Sequence, residues 1–370
     1  MPSHALSIDL SRDFLAGGEG HNRWHPDIEP AVRVAPGDTV VMPARDGMDG
    51  QLGPGLGTSP DASIGLDAVH PLTGPVYVEG AQPGDLLEVE ILDVEPDSYG
   101  FTFQAPGFGL LRDDFPCAFK VEWELAGGFA TSPDLPGVRI PGAPFMGVMG
   151  VAPDAALLAA ITVREAADAA SGGMVMLPEP ACAVPPTGDI ARTGLRTIAP
   201  HETGGNIDIK QLTAGSRLFL PVHVPGALFS AGDGHFAQGD GESCGTAIEM
   251  RATLTARFAL HPGRARDRGI RGVHFSRDGA GDPRPPATPE RYYATTGIAV
   301  DREGRSRSED LTVAARDAVR TMIDHLTAEY GYTPQQAYAL CSVAVDLRIS
   351  QVVDAPNVLV SAFLPLDVLV

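Results

Sequence analysis

The 370-residue chain carries a formal charge of −20 and is 44% hydrophobic. That length allows two or three compact units with real cores. The charge argues against nucleic acid or an anionic membrane as a partner and leaves small neutral or cationic molecules open. With 33 prolines and 43 glycines, the chain is broken too often for a helical bundle, and many short strands are expected. Cys117, Cys182, Cys244 and Cys341 lie far apart without a CxxC pair, which fits neither a zinc ribbon nor a disulfide framework. The opening MPSHALSIDLSRDF lacks the basic start and apolar run of a secretory signal. No stretch approaches the ~20 apolar residues of a membrane span. A reducing, cytoplasmic location is expected.

In chain order, residues 1–150 read as a first β block. His21, Arg23, Trp24 and His25 cluster ahead of Val32 and Val34. A turn at Pro36-Gly37-Asp38 then leads to Thr39–Met42, the pattern of a hairpin start. Asp46, Asp49 and Gln51 sit among glycines, and residues 53–66 read as a surface loop. Leu87, Val89 and Ile91 alternate with Glu88 and Glu90, the period of a half-buried strand. Residues 151–203 form a Pro-rich crossover with helical composition over 153–170. A second β block spans 204–260, where Ile248, Met250 and Leu254 share one face and Glu249, Arg251, Thr253 and Thr255 the other. Residues 261–290 read as an exposed connection within a C-terminal part, 261–370, of α+β character. There, Ser306 and Glu309 suggest a capping box ahead of a helix whose stop is Gly331. Thr333-Pro334 with Gln336 starts a second helix, and LRISQVVD and NVLVSAFL close as strands.

The chemistry concentrates in PVHVPGALFSAGDGHFAQGDGESCGTAIEMR, residues 221–251. Asp233, His235, Gln238, Asp240 and Glu242 alternate there with five glycines, a composition no apolar core requires. If extended, residues 233–235 project Asp233 and His235 to one side, and the glycines let Gln238 and Glu242 fold back toward them. Two carboxylates and an imidazole make an N/O ligand set for a divalent ion, or a general base with an orienting acid. Read alone, the same residues also suit a tight turn with solvated charges. Glu79 before Gly80 and Asp208 after Gly-Gly-Asn are weaker candidates, such residues being more often turn carboxylates than catalysts, and His70 before Pro71 suits a ligand or a turn residue equally. His21 and His25 are spaced as HxxxH but without helical context. Cys244 is a nucleophile or, more commonly for a lone cysteine, a small buried side chain.

The runs VEGAQPGDLLEVEI, GGNIDIKQLTAGSRLFLPV and GALFSAGDGHFAQGDGE resemble the acetamidase/formamidase family. So do HNRWHPDIEPAVRVAPGDTV and AYALCSVAVDLRISQVVD, in the family's order over nearly the whole chain. The resemblance implies hydrolysis of formamide or acetamide to ammonia and the carboxylate by a homo-oligomer. It also implies a mainly β fold, in two sandwich- or barrel-like blocks with a small α/β part, and a divalent metal, most plausibly Zn²⁺. Carried over by position, it covers Glu79, Asp208, Asp233, His235, Gln238 and Glu242, with His21, Trp24, Asp46 and Gln51 in the N-terminal pattern. His70 stands where many relatives have asparagine.

In the expected mechanism Asp233, His235 and Glu242 hold the metal, and Glu242 or Glu79 moves the proton of an attacking water. Gln238 binds the amide. Asp208 is a further catalytic group, and His21, Trp24, Asp46, Gln51 and His70 line the substrate pocket. Glu79 and Asp208 should then converge on the 233–242 segment. With only Lys120 and Lys210 available, the lysine-dependent amidase and nitrilase designs find no support. The rival expectation is a β-sandwich protein that only binds small amides or sugars.

Overall fold

The computed structural model describes residues 2–60, 64–278 and 291–370. The elements that position and support the site are β1 (Val32–Val34), β2 (Thr39–Ala44), β3 (Leu72–Val78), β4 (Leu86–Gln104), β5 (Phe145–Gly150), α1 (Ala155–Ala170), β6 (Gly204–Asn206), β7 (Phe229–His235) and β8 (Glu249–His261). The C-terminal layer adds β9 (Tyr292–Ile298), α2 (Leu311–Tyr330), α3 (Pro334–Ala344), β10 (Asp346–Gln351) and β11 (Leu359–Pro365).

Every residue of β7, FSAGDGH, is buried. Its small side chains let other strands close in from several sides. A β-carbon on Gly232 would lie 2.6 Å from the Pro71 carbonyl oxygen, and one on Gly234 would lie 2.6 Å from the Ala252 β-carbon. β7 therefore pairs antiparallel with β3 and β5 along its length, and with β8 through Gly234 and His235. β8 in turn runs between β2 and the long strand β4. The two β blocks read from the sequence are thus joined in one large mixed sheet, with strands of the first block flanking those of the second.

Alternation along β4 and β8 sends Leu87, Val89, Ile91, Leu254, Ala256 and Phe258 into the main core, all essentially inaccessible to solvent. Phe258 meets Phe229 of β7 edge-on at 5.3 Å between ring centroids. The same core continues into Ala318, Met322 and Leu326 of α2 and Leu340 of α3, so the C-terminal layer packs as part of the sheet body. β9, β11 and β10 form a separate three-stranded sheet with β11 in the middle.

Several local expectations change. β1 and β2 do not form a hairpin across Pro36-Gly37-Asp38: β1 pairs in parallel with β3, and β2 pairs with β8. α2 starts one turn later than the Ser306/Glu309 pattern suggests. Asp310 is its N-cap, accepting from the Thr312 and Val313 N–H groups at 2.9 and 3.1 Å. Gly331 does close α2 in the left-handed conformation, and Thr333 with Gln336 forms the capping box of α3. The 261–290 connection includes a short helix, Arg264–Arg268, and a strand, His274–Arg277, and its remainder from 279 lies outside the described residues. Among the described residues, no helix is long and apolar enough to cross a membrane.

Candidate active site

Three acidic residues share an unusual backbone at the end of β7. Asp208, Asp233 and Glu242 have φ of 45°, 60° and 43°, the left-handed region that side-chain-bearing residues avoid. Each such residue costs about 1–3 kcal/mol and persists only where surrounding structure imposes it, as at functional sites. Asp233 and Glu249 both place an oxygen 3.2 Å from Nε2 of His235. On the other side of the ring, Nδ1 lies 3.0 Å from Oε1 of Gln238 and 4.0 Å from Oδ1 of Asp208. Gln238 donates its Nε2–H to the Asp208 carbonyl at 2.9 Å, and Glu249 accepts from the Ala247 N–H at 2.9 Å. His70 reaches within 3.8 Å of Asp233.

Glycines make the room. A β-carbon on Gly147 would lie 2.6 Å from Asp208 Oδ1, 2.7 Å from Asp233 Oδ2 and 2.8 Å from His235 Cε1. One on Gly47 would lie 2.2 Å from Asp233 Oδ1. Both positions give clearance to a crowded acid cluster.

Crowding sets the proton affinities. Burial, followed by the neighbouring Glu242 carboxylate, pushes Asp208 well above the aspartate range. Burial lifts Glu242 to about 8 and Glu249 to about 8, with Asp233 adding repulsion in both cases. Burial also works against charge on Asp233 and His235, yet their mutual attraction prevails. With His70 helping, it holds Asp233 far below the aspartate range, and Glu249 and Asp233 hold His235 well above the histidine range.

The loop that carries Gln238 and Glu242 is moulded on the C-terminal layer. Ser342 of α3 accepts the Gly239 N–H through its carbonyl at 2.8 Å. Its hydroxyl accepts the Cys244 N–H at 3.0 Å and donates to the Thr246 carbonyl at 2.7 Å. Asp346, the first residue of β10, accepts the Asp240 N–H at 3.1 Å, and Asp240 accepts the Leu347 N–H at 3.1 Å. The Lys210 ammonium, two residues beyond Asp208, pairs with Asp346 and lies 3.4 Å from Asp240. Only glycine fits at 239, where a β-carbon would lie 2.3 Å from the Val345 carbonyl oxygen.

The structure brings Asp208, Asp233, His235, Gln238 and Glu242 together, with His70 at their edge. It does not bring Glu79. That side chain is exposed in the turn after β3, and its N–H donates to the Val34 carbonyl at 2.8 Å. β3 meets the site at its other end, through Leu72, so Glu79 lies roughly 20 Å away along the strand. The expected convergence of Glu79 on the motif is therefore corrected.

The N-terminal candidates serve local structure. His21 is buried with Nδ1 at 2.7 Å from the Arg23 carbonyl oxygen and Nε2 at 2.7 Å from the Ser230 hydroxyl. Trp24 is buried edge-on to His21, against Gly150 and Gly205. Asp46 accepts the Met48 and Gly50 N–H groups, and Gln51 bonds Met48 and Gly65. Together they fix the turn that presses Gly47 onto Asp233. His25 contacts Thr193 at 3.2 Å, separate from His21, so no HxxxH pair forms. Cys244 is buried and its thiol is pushed up to about 11 by burial, which opposes a thiolate nucleophile.

Glu249 was not among the sequence candidates. Alternation assigned it to the polar face of β8, but that strand begins inside the site and both faces of its first residues are buried. The available signal was an acid directly between Ile248 and Met250 at the close of the glycine-rich segment.

Among the described residues, two groups have their ligand atoms within 4.8 Å of one another: Asp208, Asp233 and His235, and His235, Glu242 and Glu249. Asp233 and Glu242 thus belong to different groups, linked through His235, rather than forming with it the single expected ligand set. Asp208 Oδ1 and His235 Nε2 are buried without an aligned hydrogen bond. Surplus carboxylates, orphaned donor atoms and glycine clearances fit a divalent cation with N/O ligands.

A sheet protein that buries an imidazole among four carboxylates and walls them with glycine has the makeup of a hydrolytic centre able to take a metal. A profile of the Acetamidase/Formamidase family matches residues 7–370, and the chain belongs to that family. It is 37% identical to the acetamidase of Mycolicibacterium smegmatis, over 92% of this chain and 89% of that protein. It is 36% identical to the formamidase of Methylophilus methylotrophus, over 98% and 93%. Among solved structures, a gamma lactamase from Delftia acidovorans aligns with a TM-score of 0.93 at 36% identity, covering 100% of this chain and 93% of that one. Each of these relatives is named for an enzyme, and the binding-module expectation finds no counterpart among them.

Proposed function

We propose that the protein is an amidase that hydrolyses short aliphatic amides, formamide or acetamide, to ammonia and the carboxylate. What carries the metal-assisted form of this reading is the meeting of Asp208, Asp233 and His235, from two separate segments, with their ligating atoms within 4.8 Å. These three would hold a divalent ion such as Zn²⁺, with Glu249 beside Asp233 at Nε2 of His235 and Glu242 beside Asp208. Such an ion, when bound, polarises the amide carbonyl and lowers the pKa of water.

The chain's own groups supply the proton traffic. The Glu242 carboxyl, lifted to about 8, can pass its proton to the departing nitrogen, which leaves as ammonia, and regain one from the attacking water. Asp208, beside it, would ligate the ion as the carboxylate, which leaves the proton of the pair on Glu242. Gln238 spends its Oε1 on His235 and its Nε2 on the Asp208 carbonyl, so it orients the cluster in place of its expected contact with the amide. His70 supplements the charge balance at Asp233. A homo-oligomer in the cytoplasm completes the reading.

The test is ammonia release from formamide, acetamide and propionamide and, given the gamma lactamase relative, ring opening of γ-butyrolactam to 4-aminobutanoate, combined with elemental analysis. Release from at least one amide, abolished by chelation and restored by the metal, is expected. No turnover of any of them overturns the amidase reading. Full activity in metal-free protein overturns the metal alone.

A further inference from the structure

A cavity of about 380 Å³ lies between Phe108, the helix α1 with the segment that follows it, and residues 196–201. That volume is within the range of sites for small organic molecules. Its walls touch the segments that carry the site. The Phe108 ring sits on Gly245, where a β-carbon would lie 2.5 Å from it, and the Gly245 N–H donates to the Glu242 carbonyl at 2.9 Å. The Ile198 carbonyl accepts from the Asn206 side chain at 3.1 Å, two residues before Asp208. Thr197, between the lining residues Arg196 and Ile198, accepts the His70 N–H through its hydroxyl, and its carbonyl oxygen lies 3.1 Å from His70 Nδ1.

The wall chemistry is specific. Phe108, Val175, Met176 and Ile198 supply apolar surface. Most charged wall groups have partners: Arg164 forms a bidentate pair with Glu202, His201 meets Glu165 at 2.8 Å and Arg196 donates to the Leu66 carbonyl, while Asp168 is exposed to solvent. Those two pairs also tie α1 to the strand segment of the wall. A cavity so lined favours an uncharged carbon body over a second charged group.

We infer that this cavity is the outer part of the substrate site and accepts the apolar acyl chain or ring of amides larger than acetamide, with Val175 and Met176 setting the size limit. The inference rests on the amidase reading for its turnover arm only. The experiment compares the parent protein with Val175→Trp and Met176→Trp, two half-buried positions outside strands and helices. It measures kcat/KM for hexanamide and acetamide, and calorimetric binding of hexanamide. Expected are measurable hexanamide binding by the parent, at least tenfold weaker binding in each filled variant, and a fall of similar size in the hexanamide-to-acetamide kcat/KM ratio. Unchanged binding and an unchanged ratio in both folded variants overturn the inference, as does a parent that does not bind hexanamide. A parent that binds hexanamide but releases ammonia from no amide overturns the amidase reading instead, and the binding comparison still decides the role of the cavity.

Discussion

Gly147 and Asp208 meet so closely that a single added carbon on Gly147 would sit 2.6 Å from Asp208 Oδ1, well inside van der Waals contact. Gly147 lies in the middle of β5, and its carbonyl accepts the Ile207 and Asp208 N–H groups at 3.0 and 3.2 Å. The same residue therefore fixes the Asp208 backbone and leaves space for its side chain.

Gly147→Ala is expected to displace the Asp208 and Asp233 carboxylates. Displacing the groups around a metal costs about 10–100-fold in affinity or activity. Amide turnover and metal content should fall together in the variant, while far-UV circular dichroism stays that of the parent. Normal metal content with normal turnover would show that the clearance is unimportant.

Asp233→Asn removes the carboxylate that His235 and His70 share. Loss of a ligand charge is expected to exceed the effect of Gly147→Ala, with turnover down by more than roughly 100-fold. The measurement is steady-state ammonia release over a metal titration. Recovery of parental kcat at high metal would confine Asp233 to binding, and parental kcat without added metal would remove it from the site.

Ser342→Ala leaves the Cys244 N–H without its buried acceptor, at a cost of about 1–3 kcal/mol. The loop carrying Glu242 should lose its registration, so kcat is expected to drop more than KM rises. Urea denaturation gives the stability loss, and Ser342→Thr, which keeps a hydroxyl, should restore part of kcat. Equal kcat for the alanine variant and the parent would contradict a positioning role.

His21 provides a pH signature away from the metal-competent cluster. Burial pushes it down to about 4 in the fold, against 6.5 for an ordinary histidine. Above pH 6.5 it is neutral in both folded and unfolded chains and contributes no slope. As pH falls from 6.5 toward 4, the unfolded chain takes up a proton that the folded one refuses, and stability declines by up to about 1.4 kcal/mol per pH unit. Denaturant midpoints measured from pH 7.5 to 4.5 should decline less steeply for His21→Gln than for the parent. Parallel curves would place the titration elsewhere.

How far the sequence reveals this arrangement depends on the range of the interaction. The approach of Asp233 to His235 is legible because side chains on a strand recur every two residues, and the fold-back of Glu242 is legible in the glycines. The strand assignments for β4 and β8 follow from alternation, and α3 from its capping box. Partnering across the chain is a different matter. Nothing local distinguishes Val32–Val34 as a partner of β3 rather than of β2. Glu79 and Glu249 illustrate the same limit in opposite directions: an acid before glycine in a resembling motif stays in solvent, and an acid on a strand's polar face ends in the site because the sheet covers both sides there. Ser342 and Asp346 carry no local mark at all, since their partners, Cys244 and Asp240, are about a hundred residues away.

The mould formed by Ser342 and Asp346 also orders the birth of the site. Synthesis delivers Asp208, Asp233, His235, Glu242 and Glu249 well before α3 and β10 emerge. Until then the acid-rich loop has no template to hold Gly239 and Asp240 in register. The strand pairings that hold Asp233, His235 and Glu249 all precede α3 in the chain, so the part of the centre that waits for the C-terminal layer is the loop carrying Glu242.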